Sequence, residues 1–221
     1  MGTLQPPEAE LRAAVIATAI AMNAAGINRG TAGNVSARWR TDAFDGFLVT
    51  PSRLAYHRLV PADIVATTID GEALGPRVPS SEWRFHRDIY RARPEVHAIV
   101  HTHSPFATTL ACLDRPIPPF HYTVAAAGGR DIRCAPYATF GTQQLSDHVI
   151  DALENRAACL LAHHGMIAVG DSLDAALALA IDVETLAEMY WRVLQIGEPA
   201  LLSDAEMDVV IARFATYGQP R

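Results

Sequence analysis

The chain has 221 residues, a length within reach of one domain and enough to bury a sizeable core without staples. Half of the residues are hydrophobic, 19% are charged, and the net charge is −6 with no Lys/Arg cluster able to track a phosphate backbone, which argues against a nucleic-acid partner. The three cysteines, Cys112, Cys134 and Cys159, form no CxxC pair; with no basic run leading into an apolar one at the N-terminus and no apolar stretch long enough to span a bilayer, the expected setting is cytoplasmic, reducing and away from membranes.

Pro6-Pro7 pre-sets a helix start, Glu8 and Glu10 suit its first turn, and an Ala-rich run continues to Ala25 before Gly26 stops it. Gly30–Arg38 reads as a glycine-containing turn feeding a strand. Gly46–Thr50 reads as a second strand ended by Pro51, and Asp63–Ile69 as a third closed by the turn pair Asp70-Gly71. Ser80 or Ser81 caps a helix running through Trp83, Phe85, Ile89 and Tyr90 and stopping near Pro94. Val96–His101 is a short apolar strand and Pro105–Leu113 a short helix. Strands are expected at His121–Val124 and Ile132–Pro136, then a helix at Gln143–Leu153 and a strand over Cys159–Val169. Asp174–Gln195 is a long amphipathic helix, and Asp204–Phe214, introduced by Ser203, a last one. Several strands follow one another without a full crossover. This predicts a mixed or largely antiparallel sheet with helices on its faces, in a single domain spanning 1–221.

Three constellations carry chemistry. In His101-Thr102-His103 the two-residue period of a strand aims both imidazoles from one face, where they can meet one ion. His163-His164 ends a second apolar strand, and either residue supplies a third nitrogen; three His ligands with an open fourth position is a catalytic zinc arrangement. Ser80-Ser81-Glu82 opens a helix, where unpaired N–H groups and hydroxyls suit an anion, and Glu82 is either a plain capping carboxylate or a metal ligand or base. Gly30-Thr31-Ala32-Gly33-Asn34 is either an ordinary turn or a second anion cradle. Thr50-Pro51-Ser52-Arg53 adds a hydroxyl and a guanidinium suited to gripping phosphate or carboxylate, if Arg53 is not simply solvated.

The blocks GTAGNVSAR, VTPS, PSSEWRFH, VHTHS, HYTVAAAGG, CAPYATFGT and HHG, in that order, resemble the class II aldolase/adducin family from about Leu11 to Tyr217. The resemblance implies a three-layer α/β/α domain around a central, mainly antiparallel mixed sheet, in a homotetramer with active sites between subunits. It implies a zinc-dependent aldolase that reversibly cleaves a ketose 1-phosphate, L-fuculose 1-phosphate-like, to dihydroxyacetone phosphate and a hydroxyaldehyde such as L-lactaldehyde, through a metal-stabilised enediolate. It assigns His101, His103 and His164 as zinc ligands, with Glu82 as displaceable fourth ligand and general base. The same donors also accept manganese or cobalt. Tyr122 and Tyr217 match catalytic tyrosines, the first of which reaches a neighbour's site; Phe140 and Phe214 match aromatics of the aldehyde pocket; Gly33, Asn34, Ser52, Ser80 and Ser81 match the phosphate site. Arg53 departs from the pattern, standing where the nearest family members carry glycine. The scaffold also hosts sugar-acid phosphate decarboxylases, pentulose-phosphate epimerases and a dehydratase, as well as non-catalytic adducin-like modules. The Glu after the serine pair argues against an epimerase, and the complete His/Glu set against a non-catalytic module.

Overall fold

The computed structural model describes residues 8–214. Its strands are β1 (Asn34–Thr41), β2 (Phe44–Val49), β3 (Val65–Thr68), β4 (Ala73–Leu74), β5 (Ala98–Thr102), β6 (Cys134–Ala135), β7 (Ala158–Leu161) and β8 (Gly165–Gly170). Its helices are α1 (Glu8–Ala24), α2 (Trp83–Ala92), α3 (Pro105–Ala111), α4 (Gln143–Ala152), α5 (Leu173–Ile196) and α6 (Asp204–Phe214). The strands form one eight-stranded sheet in the order β4-β3-β2-β1-β5-β8-β7-β6. Every pair is antiparallel except β6–β7. This is the mainly antiparallel mixed sheet, flanked by helices, that the sequence predicts.

Local chemistry explains the element ends. Alanine-rich α1 stops where Gly26 takes a positive φ of 76°. Thr142 and Ser172 cap α4 and α5, their hydroxyls accepting from the N–H groups of Leu145 and Ala175. The period of two in β5 then sorts the layers. Ala98 and Val100 join a core with Val15 and Met22 of α1, Leu110 of α3 and Val183 of α5, whereas Ile99 joins a second core with Phe85 and Ile89 of α2 and Val149 of α4. His101 continues the register of Ile99, so it lies on the α2 side, its ring edge-on to Phe85.

Two expected strands come out differently. His121–Val124 is not a strand: Tyr122–Ala127 is a 3-10 turn, opened by the His121 side chain accepting from the Thr123 N–H and closed by Gly128 at φ 86°. A local side-chain bond here outcompetes a ladder for β-prone residues. Cys159–Val169 is not one strand but the hairpin β7–β8, because His163 adopts φ 55° and turns the chain back. Both arms are apolar, and the break between them is the short polar stretch His163-His164 ahead of Gly165. Ile132–Pro136 contributes only the two residues of β6.

Candidate metal centre and active site

Four side chains from three parts of the fold converge at one end of the sheet. His101 ends β5, His103 follows it, His164 lies in the β7–β8 turn, and Glu82 is the residue that introduces α2. One ligand atom from each lies within 4.8 Å of all the others. His101 Nε2 is 3.1 Å from His103 Nε2 and 3.2 Å from Glu82 Oε2, while His164 Nε2 is 3.0 Å from Glu82 Oε1. Two glycines allow this approach. A Cβ on Gly33 would stand 2.3 Å from the His101 carbonyl oxygen, and one on Gly165 2.3 Å from that of Thr102. The Tyr56 hydroxyl donates to the Gly33 carbonyl and fixes that turn from below.

The donor set fits a divalent cation. His101 Nδ1 donates to the Met166 carbonyl at 2.9 Å, which leaves Nε2 as a lone pair aimed at the cluster. Burial first, then the neighbouring His101 and His164, lowers the His103 pKa to about 3, so its imidazole is neutral at physiological pH. Burial works to raise the pKa of Glu82, but interactions with His101 and His164 outweigh it and hold the carboxyl well below the usual range. Glu82 Oε1 is buried, and the His164 ring nitrogen at 3.0 Å is its neighbour in the cluster. Three imidazoles and a carboxylate converging on one point form a metal-binding set.

His164 faces this cluster, whereas His163 points away, exposed, its ring edge-on to Tyr137 at 5.9 Å and its Nε2 3.9 Å from the Asp114 carboxylate. A cavity of about 280 Å³ opens above the cluster, lined by Ser81, Glu82, His103, His164 and Phe140, and also by Ala32, Tyr137, Ala138 and His163. Tyr137 and His163 escaped sequence reasoning as wall residues. Their sequence signal is membership of two of the quoted blocks, CAPYATFGT and HHG.

The Ser80 hydroxyl accepts from the Glu82 N–H at 3.3 Å. Its loop is tied to the Thr50–Arg53 loop, Ser80 N–H donating to the Thr50 carbonyl and Ser52 N–H to that of Val78, both at 3.0 Å. Arg53 is exposed at φ 62°, the left-handed conformation that favours glycine. Asn34 pairs with His101 across β1 and β5, and its amide lies between Glu82 and His86. Tyr122 and Phe214 are not brought to the cluster within this chain: both line a separate groove with Thr123, Val210 and Arg213. Tyr217 lies outside the described residues.

A mixed sheet carrying a His/Glu cluster beside two hydroxyl- and glycine-lined loops defines a metal-dependent enzyme. The chain belongs to the class II aldolase and adducin family: residues 13–191 match the Class II Aldolase and Adducin N-terminal domain. It is 58% identical over 208 residues to a 5-methylthioribulose-1-phosphate/5-deoxyribulose-1-phosphate aldolase of Rhodospirillum rubrum, covering 94% of this chain and 92% of the relative. It is 48% identical over 205 residues to the L-fuculose phosphate aldolase of Escherichia coli K12, covering 92% and 94%. A solved L-fuculose 1-phosphate aldolase superposes with a TM-score of 0.87 at 36% identity, covering 93% of this chain and 96% of that one. These relatives are aldolases, and the chain is an aldolase of the same family. Among the described residues no helix is long and apolar enough to cross a membrane.

Proposed function

We propose that the protein cleaves a ketose 1-phosphate with an apolar far end, of the 5-methylthioribulose or 5-deoxyribulose 1-phosphate type, to dihydroxyacetone phosphate and a short aldehyde. The observation that carries this reading is the convergence of Glu82, His101, His103 and His164 beneath a cavity whose outer wall is Tyr137, Ala138 and Phe140. An aromatic wall suits a methyl or methylthio group. The 58% identity to the methylthioribulose-phosphate aldolase, against 48% to a fuculose phosphate aldolase, favours the five-carbon substrates over the initial expectation of L-fuculose 1-phosphate.

A zinc ion held by the three histidines and Glu82 supplies Lewis-acid stabilisation of the charge that develops on the ketone oxygen. The chain's own residues do the rest. The Glu82 carboxylate takes the C4 hydroxyl proton as the aldehyde C=O forms and the C3–C4 bond breaks, and then returns that proton to C3 to complete dihydroxyacetone phosphate. Ser52, Ser80, Ser81 and the backbone of the Gly33-Asn34 turn hold the phosphate, the Asn34 amide being committed to Glu82 and His86, and that remote grip orients the reacting carbons. Arg53 adds a cation at the rim of this anion site. Tyr122, Phe214 and Tyr217 act on the aldehyde end from a neighbouring subunit of a homotetramer, in keeping with the distance of the first two from this chain's own cluster.

The test is a coupled assay on the zinc-loaded protein, with dihydroxyacetone phosphate reduced at the expense of NADH. The panel is 5-methylthioribulose, 5-deoxyribulose and fuculose 1-phosphates. The expected result is the highest kcat/KM on the first two; release of dihydroxyacetone phosphate from none of the three would overturn the reading. Arg53→Gly is expected to raise KM severalfold with kcat little changed, as removal of uniform binding does.

A further inference from the structure

A line of buried polar side chains leads from the candidate active site into the layer between β1 and α2. Asn34 Nδ2 is 2.9 Å from Glu82 Oε2, and Asn34 Oδ1 is 2.5 Å from His86 Nε2. On the other side of the ring, His86 Nδ1 is 2.7 Å from Ser36 Oγ, which is 2.8 Å from the Tyr90 hydroxyl. All five residues are buried, none more than 4% exposed. The spacing explains the alignment. Glu82, His86 and Tyr90 recur every fourth residue along one face of α2, and Asn34 and Ser36 occupy one face of β1.

Chemistry gives every bond a direction. Asn34 Nδ2 donates to Glu82 Oε2 at 2.9 Å, which turns the amide oxygen toward His86. The amide oxygen only accepts, so His86 carries its proton on Nε2. Complete burial lowers the His86 pKa to about 3 and keeps the ring neutral, which leaves Nδ1 as an acceptor. The Ser36 hydroxyl therefore donates to Nδ1, and Tyr90 donates to Ser36. The whole chain points at Oε2 of Glu82, while Oε1 faces the cluster, 3.0 Å from His164 Nε2.

We infer that His86 is a positioning residue: its Nε2–H locks the Asn34 amide, which holds Oε2 of Glu82 and leaves Oε1 as the oxygen that exchanges the proton with substrate. This rests on the reading of Glu82 as the base. His86 lies against Phe47 and Phe85, a setting in which an apolar side chain would pack without any polar partner. A connected buried network in such a place rigidifies what it touches, and here that is the carboxylate.

Two measurements test this. Long-range proton–nitrogen NMR of the metal-stripped, substrate-free protein reports the His86 tautomer. The expected result at neutral pH is Nε2–H with an unprotonated Nδ1, the Nε2 resonance shifting in Asn34→Ala; an Nδ1–H tautomer or a charged ring would overturn the inference. The second is a double-mutant cycle on whichever ketose 1-phosphate the wild type cleaves. His86→Leu is expected to lower kcat about tenfold to a hundredfold with KM within about twofold. His86→Leu should cost nothing further in an Asn34→Ala background, and His86→Gln, which keeps a donor toward Asn34, should recover most of the loss. Losses that multiply, or a rise in KM at unchanged kcat, would show that His86 does not act through Asn34. A wild type that cleaves no ketose 1-phosphate would defeat the functional reading instead, and the tautomer alone then decides the direction of the chain.

Discussion

The two faces of the sheet both bury an apolar core, but the α2 face also carries a connected row of polar side chains. Toward α1, α3 and α5 the strands present Val35, Ala37, Val100, Leu160 and Met166, and the helices answer with Val15, Leu110 and Val183. Toward α2, β1 and β5 present Asn34, Ser36, Arg38 and His101 beside the apolar Ile99, answered by Glu82, His86 and Tyr90. Burying such groups requires partners for each. Arg38 donates to the carbonyls of Tyr90, Arg93 and Val96 and lies over the Tyr90 ring. The first face gains stability by removing apolar area from water and demands only shape. The polar row on the second demands defined hydrogen-bond geometry, and the stability return of those groups is small. Changes on the apolar face should therefore cost folding free energy, and changes on the polar face should cost catalysis.

The largest effect is expected from stripping the metal centre. Dialysis against a chelator should abolish aldol cleavage while the far-ultraviolet circular dichroism stays unchanged, and added zinc should restore the rate, with manganese or cobalt restoring part of it. Next comes Glu82→Gln, which keeps the shape of the side chain and removes the base. A loss of about 10²–10⁴ in kcat is expected, with the thermal midpoint of the metal-stripped protein within a few degrees of wild type. A variant that lost stability instead of rate would erase the contrast between the faces.

Leu110→Ala probes the other side. Leu110 is fully buried in the α1–α3–α5 core. Truncation should lower unfolding free energy by about 2–5 kcal/mol in urea melts, while kcat per correctly folded molecule, corrected by active-site metal content, stays near wild type. A fall in kcat matching that of Glu82→Gln would mean that the apolar face also sets the catalytic geometry.

The same contrast governs what the sequence discloses. Elements built on local period or caps are legible: the Ala-rich α1 ending at Gly26, the apolar β5, and the His101–His103 pair whose spacing already aims two imidazoles one way. What fails is decided by tertiary context. The β7–β8 hairpin is read as one strand because its turn residue with positive φ is His163, at φ 55°, instead of a glycine or asparagine. For the same reason spacing alone left His163 and His164 equivalent, while the turn sends one toward Glu82 and the other toward Tyr137. Asn34-Val35-Ser36-Ala37-Arg38 has the alternation of a half-solvated strand, yet its polar side is roofed by α2. The fourfold spacing of Glu82, His86 and Tyr90 is visible in the chain, but its meaning depends on an Asn34 that lies 48 residues from Glu82.

The smallest expected effect separates the faces by pH. An unfolded histidine takes up a proton near pH 6.5, whereas burial holds His86 neutral down to about pH 3. Across that window the unfolded chain binds a proton that the native ring refuses, so this group's contribution to stability is present above about pH 6.5 and is lost as pH falls. Between pH 7 and pH 5 the wild type should lose about 1–2 kcal/mol more than His86→Leu, read as the difference in urea unfolding free energies of the metal-stripped proteins. Leu110→Ala supplies the control, since truncating an aliphatic side chain changes no proton uptake and should lower stability equally at both pH values. Equal acid sensitivity in the wild type and His86→Leu would mean that the His86 ring already takes up its proton in the native state, and the directed chain toward Glu82 would lose the neutral imidazole on which it depends.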